Sequence, residues 1–157
     1  MKNLHIFNVT NRTDPILDEL YCEPAGVGPN DFPKNYLDSK TGDNIIHKDP
    51  YYAEYIFHYW FWKNQLMNYE KSSWIGFCQY RRYWLNENSD QNQIIIRENL
   101  KDNMLKDIPS IWSNHETVVA KRVYVDNPKF MKLIKRGFKN IINDPSIIFD
   151  KKKHNIK

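Results

Sequence analysis

Two adjacent arginines, Arg81 and Arg82, stand between Tyr80 and Tyr83 and directly follow the apolar run of residues 74–78. A short, nearly continuous apolar run is typical of a strand that is covered on both faces, as in α/β sheets. Open α/β sheets bind ligands beyond the carboxyl ends of their strands, where two guanidinium groups can grip a phosphate or a carboxylate. The alternative is that one arginine pairs with an acid at the edge of the core and the other is solvated. Because alternate strand residues face opposite sides, both need not reach one ligand.

Three further groups of side chains have the right chemistry for a site. Asp43 and Asn44 can hydrogen-bond the hydroxyls of a ribose or sugar, or they form an Asx turn that caps a loop. Glu54 and His58 lie four residues apart and share a helix face, so they are either a base and its partner or a satisfied pair in the interior. The aromatic run of residues 59–62 can stack a base or a sugar, or it packs in the core.

Familiar catalytic and cofactor motifs are absent from the sequence. It contains no G-x-x-x-x-G-K-[ST] phosphate loop, no G-x-G-x-x-G and no H-E-x-x-H, and neither cysteine has a second cysteine at zinc spacing. It also contains no Asp-x-Asp, the pair with which many sugar transferases hold a divalent ion. A Mn²⁺ or Mg²⁺ ion is compatible with carboxylate and phosphate ligands, but no dedicated pair indicates one.

The elements that must position these residues alternate between strands and helices. The pattern predicts a first strand over 4–10, a short helix over 16–21, a long loop over 23–43, a helix over 51–67 opened by an Asp49 cap and Pro50, and the strand that precedes Arg81. The helix over 51–67 is aromatic on nearly every side, which predicts that it is buried all round.

The second half of the chain predicts a short strand or extended lead-in over 94–96, a helix over 97–108, a strand over 117–125, a second cap-plus-proline pair at Asn127–Pro128, and a helix with an apolar stripe after it. This alternation predicts one α/β domain over 1–145 and a frayed basic tail over 146–157. No strand follows the last helix, which favours a chain that is truncated at its C-terminus.

Charge, cysteines and hydropathy restrict the cellular location of the protein and the partners that it can bind. Of 157 residues, 23 are basic and 19 acidic, but residues 121–157 carry +8 and the first 120 carry −4. A basic segment of this kind indicates an anionic neighbour, such as a membrane surface, or a solvated helix face. Cys22 and Cys78 are far apart and are interpreted as reduced thiols. With no long apolar run and no signal-peptide pattern, the sequence predicts a cytoplasmic protein, with a peripheral position at the inner membrane as an alternative.

Several segments together resemble a known family. They are Asp43-Asn44-Ile45, residues 48–54, residues 59–64, residues 74–77 and residues 80–83. In this order they resemble the DUF4422 family, bacterial glycosyltransferase-like proteins of capsule, exopolysaccharide and O-antigen synthesis. The resemblance is specific over residues 40–84 and follows element order elsewhere. Three positions depart from the family pattern: Gln79 replaces a histidine, Ile46 a serine and Trp84 a different aromatic residue.

The resemblance implies a GT-A-like, Rossmann-like open sheet flanked by helices. It implies an enzyme that moves a sugar from a nucleotide-sugar donor to a growing polysaccharide or lipid-linked glycan, with no nucleic acid as partner. The donor-binding candidates are Tyr80, Arg81, Arg82, Asp43 and Asn44, with possible support from Glu54, His58, Trp62, Lys63 and Asn64. The alternatives are a truncated or non-catalytic relative that keeps donor binding, and a basic module that binds RNA or a membrane surface.

Overall fold

The computed structural model describes residues 3–89, 95–121, 130–143 and 145. The chain forms two compact units, Met1–Glu116 and Thr117–Lys157. The first contains the sheet and the second contains the last helix.

A four-stranded parallel sheet is the centre of the first unit, which confirms the predicted α/β class and open sheet. Its strands are β1 (Leu4–Thr10), β2 (Glu23–Gly26), β3 (Leu37–Asp38) and β4 (Trp74–Gln79), in the order β3-β2-β1-β4. Strand β1 pairs with β2 on one side and with β4 on the other, both in parallel. The chain therefore builds outward in one direction from β1 and later returns to its other side, so the strand order reverses between β1 and β4. In open α/β sheets this reversal is where ligands bind.

The α-helices are α1 (Asp49–Tyr52), α2 (Tyr55–Asn64), α3 (Leu100–Asn103) and α4 (Phe130–Asn143). Short 3-10 helices occupy Pro15–Asp18, Ile46–Lys48, Leu66–Asn68 and Ser110–Asn114. The described helices include none that is both long and apolar enough to cross a bilayer.

Helix α2 covers one face of the sheet. Alternate residues of β1, Phe7 and Val9, point to this face and pack in one cluster with Phe57, Trp60 and Phe61 of the helix. The ring of Phe7 lies 4.8 Å from that of Phe61 and 6.1 Å from that of Phe57, centroid to centroid. Burial of these rings supplies most of the hydrophobic stabilisation on this side.

The opposite face is covered by α3 and the segments around it. There Ile6 and Cys78 pack with Leu105, and Leu17 packs with Leu100 and other buried side chains. The sheet is thus covered on both faces, as the apolar run of β4 predicts. Both cysteines are free thiols.

Two predictions about the first half of the chain are wrong. Residues 23–43 are not all loop, because they contain β2 and β3. Strand β3 pairs only with Ala25 and Gly26, so at Pro24 one side of β2 carries no ladder, and sheets tolerate proline there. The predicted short helix over 16–21 is a 3-10 helix over Pro15–Asp18.

The predicted aromatic helix over 51–67 is also wrong in extent and burial. It is two helices, α1 and α2, because Ala53 has φ +46° and breaks the run between them. Asp49 is the first residue of α1 rather than its cap, which is Lys48. The surface is aromatic as well as the core, since Tyr51, Tyr55 and Trp62 are exposed while one face of α2 is buried.

In the second half, the helix predicted over 97–108 is reduced to α3, because Met104 forms an isolated bridge with Leu85. Residues 95–96 and 117–121 form no strand. The other residues of the strands predicted over 94–96 and 117–125 lie outside the described residues, as do Asn127–Pro128 and the tail over 146–157. The helix predicted after Pro128 is confirmed as α4.

Candidate functional site

A cavity of about 410 Å³ opens at the carboxyl edge of the sheet, where the strand order reverses. Its walls come from the ends of β1 and β2, from the junction of α1 and α2, and from the end of β4. They include Thr10, Asn11, Gly28, Asp49, Glu54 and Gln79. We call this the switch-point cavity. Its size and place are those of small-molecule sites in open α/β proteins.

One wall of the switch-point cavity carries two carboxylates. Asp49 and Glu54 line it from α1 and from the residue before α2, and the Gln79 side chain donates a short hydrogen bond to Glu54 Oε1. Ala53 between them is the only described non-glycine residue with positive φ, and such strain is concentrated at functional sites. Gly28 on the facing loop has φ +94°, a conformation that favours glycine.

The end of β4 turns sharply and presents Tyr80 and Arg81 at its corner. The backbone N–H of Gln79 donates to Arg82 O at 3.2 Å, and that of Arg82 donates to Gln79 O at 2.9 Å. The two residues between these hydrogen bonds therefore project beyond the sheet edge. Tyr80 reaches the switch-point cavity from this corner.

Two guanidinium groups lie against the Tyr80 ring. The Cζ atoms of Arg12 and Arg81 are 4.5 and 4.7 Å from the ring centroid. We call Arg12, Tyr80 and Arg81 the Tyr80 cluster. Neither arginine forms an ion pair with any residue that the structure describes, so both charges remain available to an anion.

The loop after β1 holds Arg12 in this position. Buried Thr10 donates from Oγ1 to Arg12 O at 2.8 Å and accepts from Arg12 N at 3.2 Å. Because β1 and β4 are parallel neighbours, the residues that follow them meet at the same edge of the sheet. The cluster therefore follows directly from the strand pairing.

A second cavity, of about 510 Å³, lies on the other side of Tyr80. We call it the arginine cavity. Arg12, Arg81 and Arg97 line it together with apolar side chains that include Ile16, Leu85 and Ile96. Arg97 is paired with Asp14. Tyr83 also lines this cavity, and burial, with smaller contributions from Cys78 and Cys22, raises the pKa of its phenol to about 12.

The structure separates the two predicted arginines. Both arginines are exposed, but only Arg81 lines the arginine cavity and contacts Tyr80, and Arg82 lines neither cavity. The second arginine at the Tyr80 ring is Arg12, which the sequence patterns do not single out. Its position after a strand that neighbours β4 is the signal that identifies it.

Asp43, Asn44 and Asn64 are brought together away from the switch-point cavity. Asn64 Oδ1 accepts from Asp43 N at 3.0 Å, and its Nδ2 donates to Asp43 O at 2.8 Å. Asn44 Oδ1 accepts from Ile46 N at 3.2 Å, which is an Asx turn. Asn64 lies ten residues beyond Glu54, about 15 Å along the helix. These contacts fix the loop to α2. A donor-binding role for Asp43 and Asn44, and a supporting role for Asn64, remain predictions.

The remaining candidates contact residues of α2 or of β4. Lys63 Nζ stands 4.0 Å from the centroid of the exposed Trp62 ring. His58 Nδ1 lies 3.0 Å from Glu54 O, and its ring packs 4.4 Å from that of Phe77. Of these predicted supporting residues only Glu54 lines the switch-point cavity.

No cluster of three or more His, Cys, Asp or Glu side chains suited to a metal occurs in the part of the chain that the structure describes. Asp49 and Glu54 are the two carboxylates of the switch-point cavity. Carboxylates and phosphate oxygens are the ligands that Mg²⁺ and Mn²⁺ prefer, so a divalent ion here would need ligands from a bound phosphate.

The fold and the site define an open parallel α/β protein with a ligand-sized cavity at its switch point and cations beside it. The family model described as a domain of unknown function, DUF4422, matches residues 5–152. The chain belongs to the DUF4422 family. No curated protein and no solved structure matches it.

Proposed function

We propose that this protein is a glycosyltransferase that binds a nucleotide-sugar donor in the switch-point cavity. One observation carries the proposal: a cavity of about 410 Å³ lies where the strand order reverses, with two guanidinium groups free of ion pairs to described residues beside it. Nucleotide ligands of open α/β sheets occupy this place, and their phosphates need cationic partners. The GT-A-like character of the fold belongs to the same proposal.

The acidic and the basic side chains bind different parts of the donor. The carboxylates of Asp49 and Glu54 accept hydrogen bonds from ribose or sugar hydroxyls. Tyr80, whose ring carries the two guanidinium groups, lines the cavity on the side of the diphosphate. The diphosphate turns toward Arg12 and Arg81. As the bond between the sugar and the diphosphate breaks, negative charge accumulates on the leaving group, and the two guanidinium groups stabilise it.

The acceptor hydroxyl attacks the anomeric carbon and must lose a proton. Glu54 is our candidate for the base, because it lines the cavity and the Gln79 amide holds its carboxylate in place. The arginine cavity is the entrance that we propose for the acceptor, a glycan or a lipid-linked glycan. Its apolar and cationic lining suits an acceptor that has both apolar and anionic parts. A divalent ion would be held by the donor phosphates together with Asp49 or Glu54.

The test blocks the cavity and leaves the fold in place. Asn30 is exposed and lines the switch-point cavity, so in Asn30→Trp an indole would fill the mouth. Asn35 is the matched control, since it is exposed, makes one side-chain hydrogen bond as Asn30 does, and lines neither cavity. Binding of a panel of nucleoside diphosphates and nucleotide sugars is measured by calorimetry with and without Mn²⁺, and sugar release is measured alongside.

We expect at least one nucleotide sugar to bind the wild type and Asn35→Trp equally, and Asn30→Trp at least tenfold more weakly. Turnover of that donor, lost in Glu54→Gln while donor binding is kept, would support transfer. Donor binding without any turnover would indicate a non-catalytic donor-binding protein. Absence of binding across the panel, or equal binding by both tryptophan variants, would contradict the proposed site.

A further inference from the structure

Helix α4 separates its apolar and basic residues onto opposite sides. At about 100° per residue, six of the seven apolar residues of the helix fall within an arc of about 120°, and Leu133 falls about 60° outside it. The six are Phe130, Met131, Ile134, Phe138, Ile141 and Ile142. The four cations of the helix fall within the facing arc of about 100°. They are Lys132, Lys135, Arg136 and Lys139, and the helix contains no acidic residue.

The apolar side of α4 faces solvent. Phe138 and Ile142 are each 67% exposed, and Ile134 and Ile141, one turn away on the same side, are also exposed. Contiguous exposed apolar side chains of this size mark an interaction surface rather than an ordinary solvated face. Because Ile134, Phe138, Ile141 and Ile142 are exposed, this part of the helix is not buried with only its basic side in solvent.

We infer that α4 is a membrane-surface helix that binds the anionic face of a lipid bilayer. A helix with a strongly cationic side and large apolar side chains on the other lies in the plane of the interface, with the apolar side among the acyl chains and the cations at the headgroups. The charge complementarity is complete, since every charged residue of the helix is basic. Nucleic acid would use the cations and leave the apolar side uncovered, so lipid fits both sides.

The experiment measures binding of the full chain to vesicles by co-sedimentation. One set of vesicles is pure phosphatidylcholine, and the other is equal parts phosphatidylcholine and phosphatidylglycerol. We expect binding to the anionic vesicles, weakening as salt is raised, and little binding to the neutral ones. An RNA oligonucleotide is tested in parallel. This inference is argued from α4 alone and does not depend on the proposed enzyme activity. Vesicle binding and donor binding are measured in separate experiments, so either can fail without the other.

Two matched pairs of variants separate the apolar from the cationic contribution. Phe138→Asp removes one exposed apolar side chain from α4, and Ile111→Asp removes one that is 70% exposed in the first unit. Lys135→Gln with Lys139→Gln removes two charges from α4, and Lys34→Gln with Lys71→Gln removes two from exposed positions elsewhere. Circular dichroism checks that each variant folds.

Phe138→Asp is expected to weaken vesicle binding at least tenfold and Ile111→Asp to leave it unchanged. The α4 lysine pair is expected to weaken binding by about 25-fold, since each cation at an anionic surface contributes about 1 kcal/mol, or about fivefold. The control lysine pair should change it by less than about threefold through general charge alone.

Three results with vesicles would overturn the inference: no binding to anionic vesicles, equal binding to neutral vesicles, or equal losses of binding in the two lysine pairs. A fourth would be salt-dependent RNA binding that Phe138→Asp leaves unchanged, in a protein that does not bind vesicles. Self-association that Phe138→Asp abolishes, without vesicle binding, would assign the apolar side to a second copy of the chain instead.

Discussion

Replacing Arg81 by glutamine tests the Tyr80 cluster against its nearest neighbour in the chain. Both residues are exposed, but the Cζ atom of Arg81 stands 4.7 Å from the Tyr80 ring centroid and Arg81 lines the arginine cavity, whereas Arg82 lines neither cavity. Both substitutions, Arg81→Gln and Arg82→Gln, remove one positive charge within one residue of each other. Long-range electrostatics therefore changes almost equally in the two variants, and any difference between them reports direct contact.

The expected magnitude follows from the contact that is lost. A hydrogen bond between a charged donor and a phosphate contributes about 1.5–3 kcal/mol, and the lower value applies at an open site, so Arg81→Gln should weaken nucleoside diphosphate binding by about tenfold. Arg12→Gln should have a similar effect, since Arg12 lies as close to Tyr80. Arg82→Gln should change affinity by less than about twofold, because Arg82 lines neither cavity and its charge acts on the ligand only through screened solvent.

Isothermal titration calorimetry at fixed ionic strength measures these affinities, and thermal melts show whether each variant is folded. The salt dependence of binding should also become shallower in Arg81→Gln than in Arg82→Gln. Equal losses in the two variants, or a loss in Arg82→Gln alone, would refute the assignment of the anion site to the Tyr80 cluster.

Three further outcomes follow from the contacts described above. Asn64→Ala removes the hydrogen bonds to Asp43 and Trp60 and should lower the free energy of unfolding by about 1–3 kcal/mol in urea melts, with nucleotide affinity unchanged; an affinity loss with full stability would contradict this. Burial raises the pKa of the Cys22 and Cys78 thiols from the ordinary 9.0 to about 12, so the unfolded chain loses these protons first and the stability should fall as the pH rises from 9 toward 12. Unfolding free energies that stay level across that range would contradict it. Gln79→His places an imidazole beside the Glu54 carboxylate, and NMR titration should give it a pKa above the ordinary value of about 6.5; a lower value would show that the two groups do not interact.

The sequence predicts well what local patterns determine. The apolar runs of β1 and β4 are strong enough to identify both strands, and the corner after β4 places Arg81 at the sheet edge. Strands β2 and β3 escape detection because their residues read as loop, and only pairing with β1 makes β2 a strand. Helix α3 is shorter than predicted because residues after it pair with the segment that follows β4.

In the candidate site too, local patterns identify some residues, and others depend on how the strands pair. Arg81 is found from the sequence, but its companion Arg12 lies in a loop whose position depends on the pairing of β1 with β4. Similarly, the helix break at Ala53 brings Asp49 and Glu54 to one cavity. Helix and strand propensities do not predict a positive φ at alanine, so this break could not be found from the sequence. Asp43 and Asn64, which match the family motif, do lie together in the structure. The hydrogen bonds between them hold the loop against α2.

The most direct test of the central claim is a crystal structure of the chain with a nucleotide sugar bound. The account predicts density for the donor in the switch-point cavity between Gly28 and Glu54, with its diphosphate within hydrogen-bond distance of Arg12 and Arg81. A donor bound elsewhere on the chain, or a diphosphate held by Arg82 and Asn64 in place of the Tyr80 cluster, would contradict it.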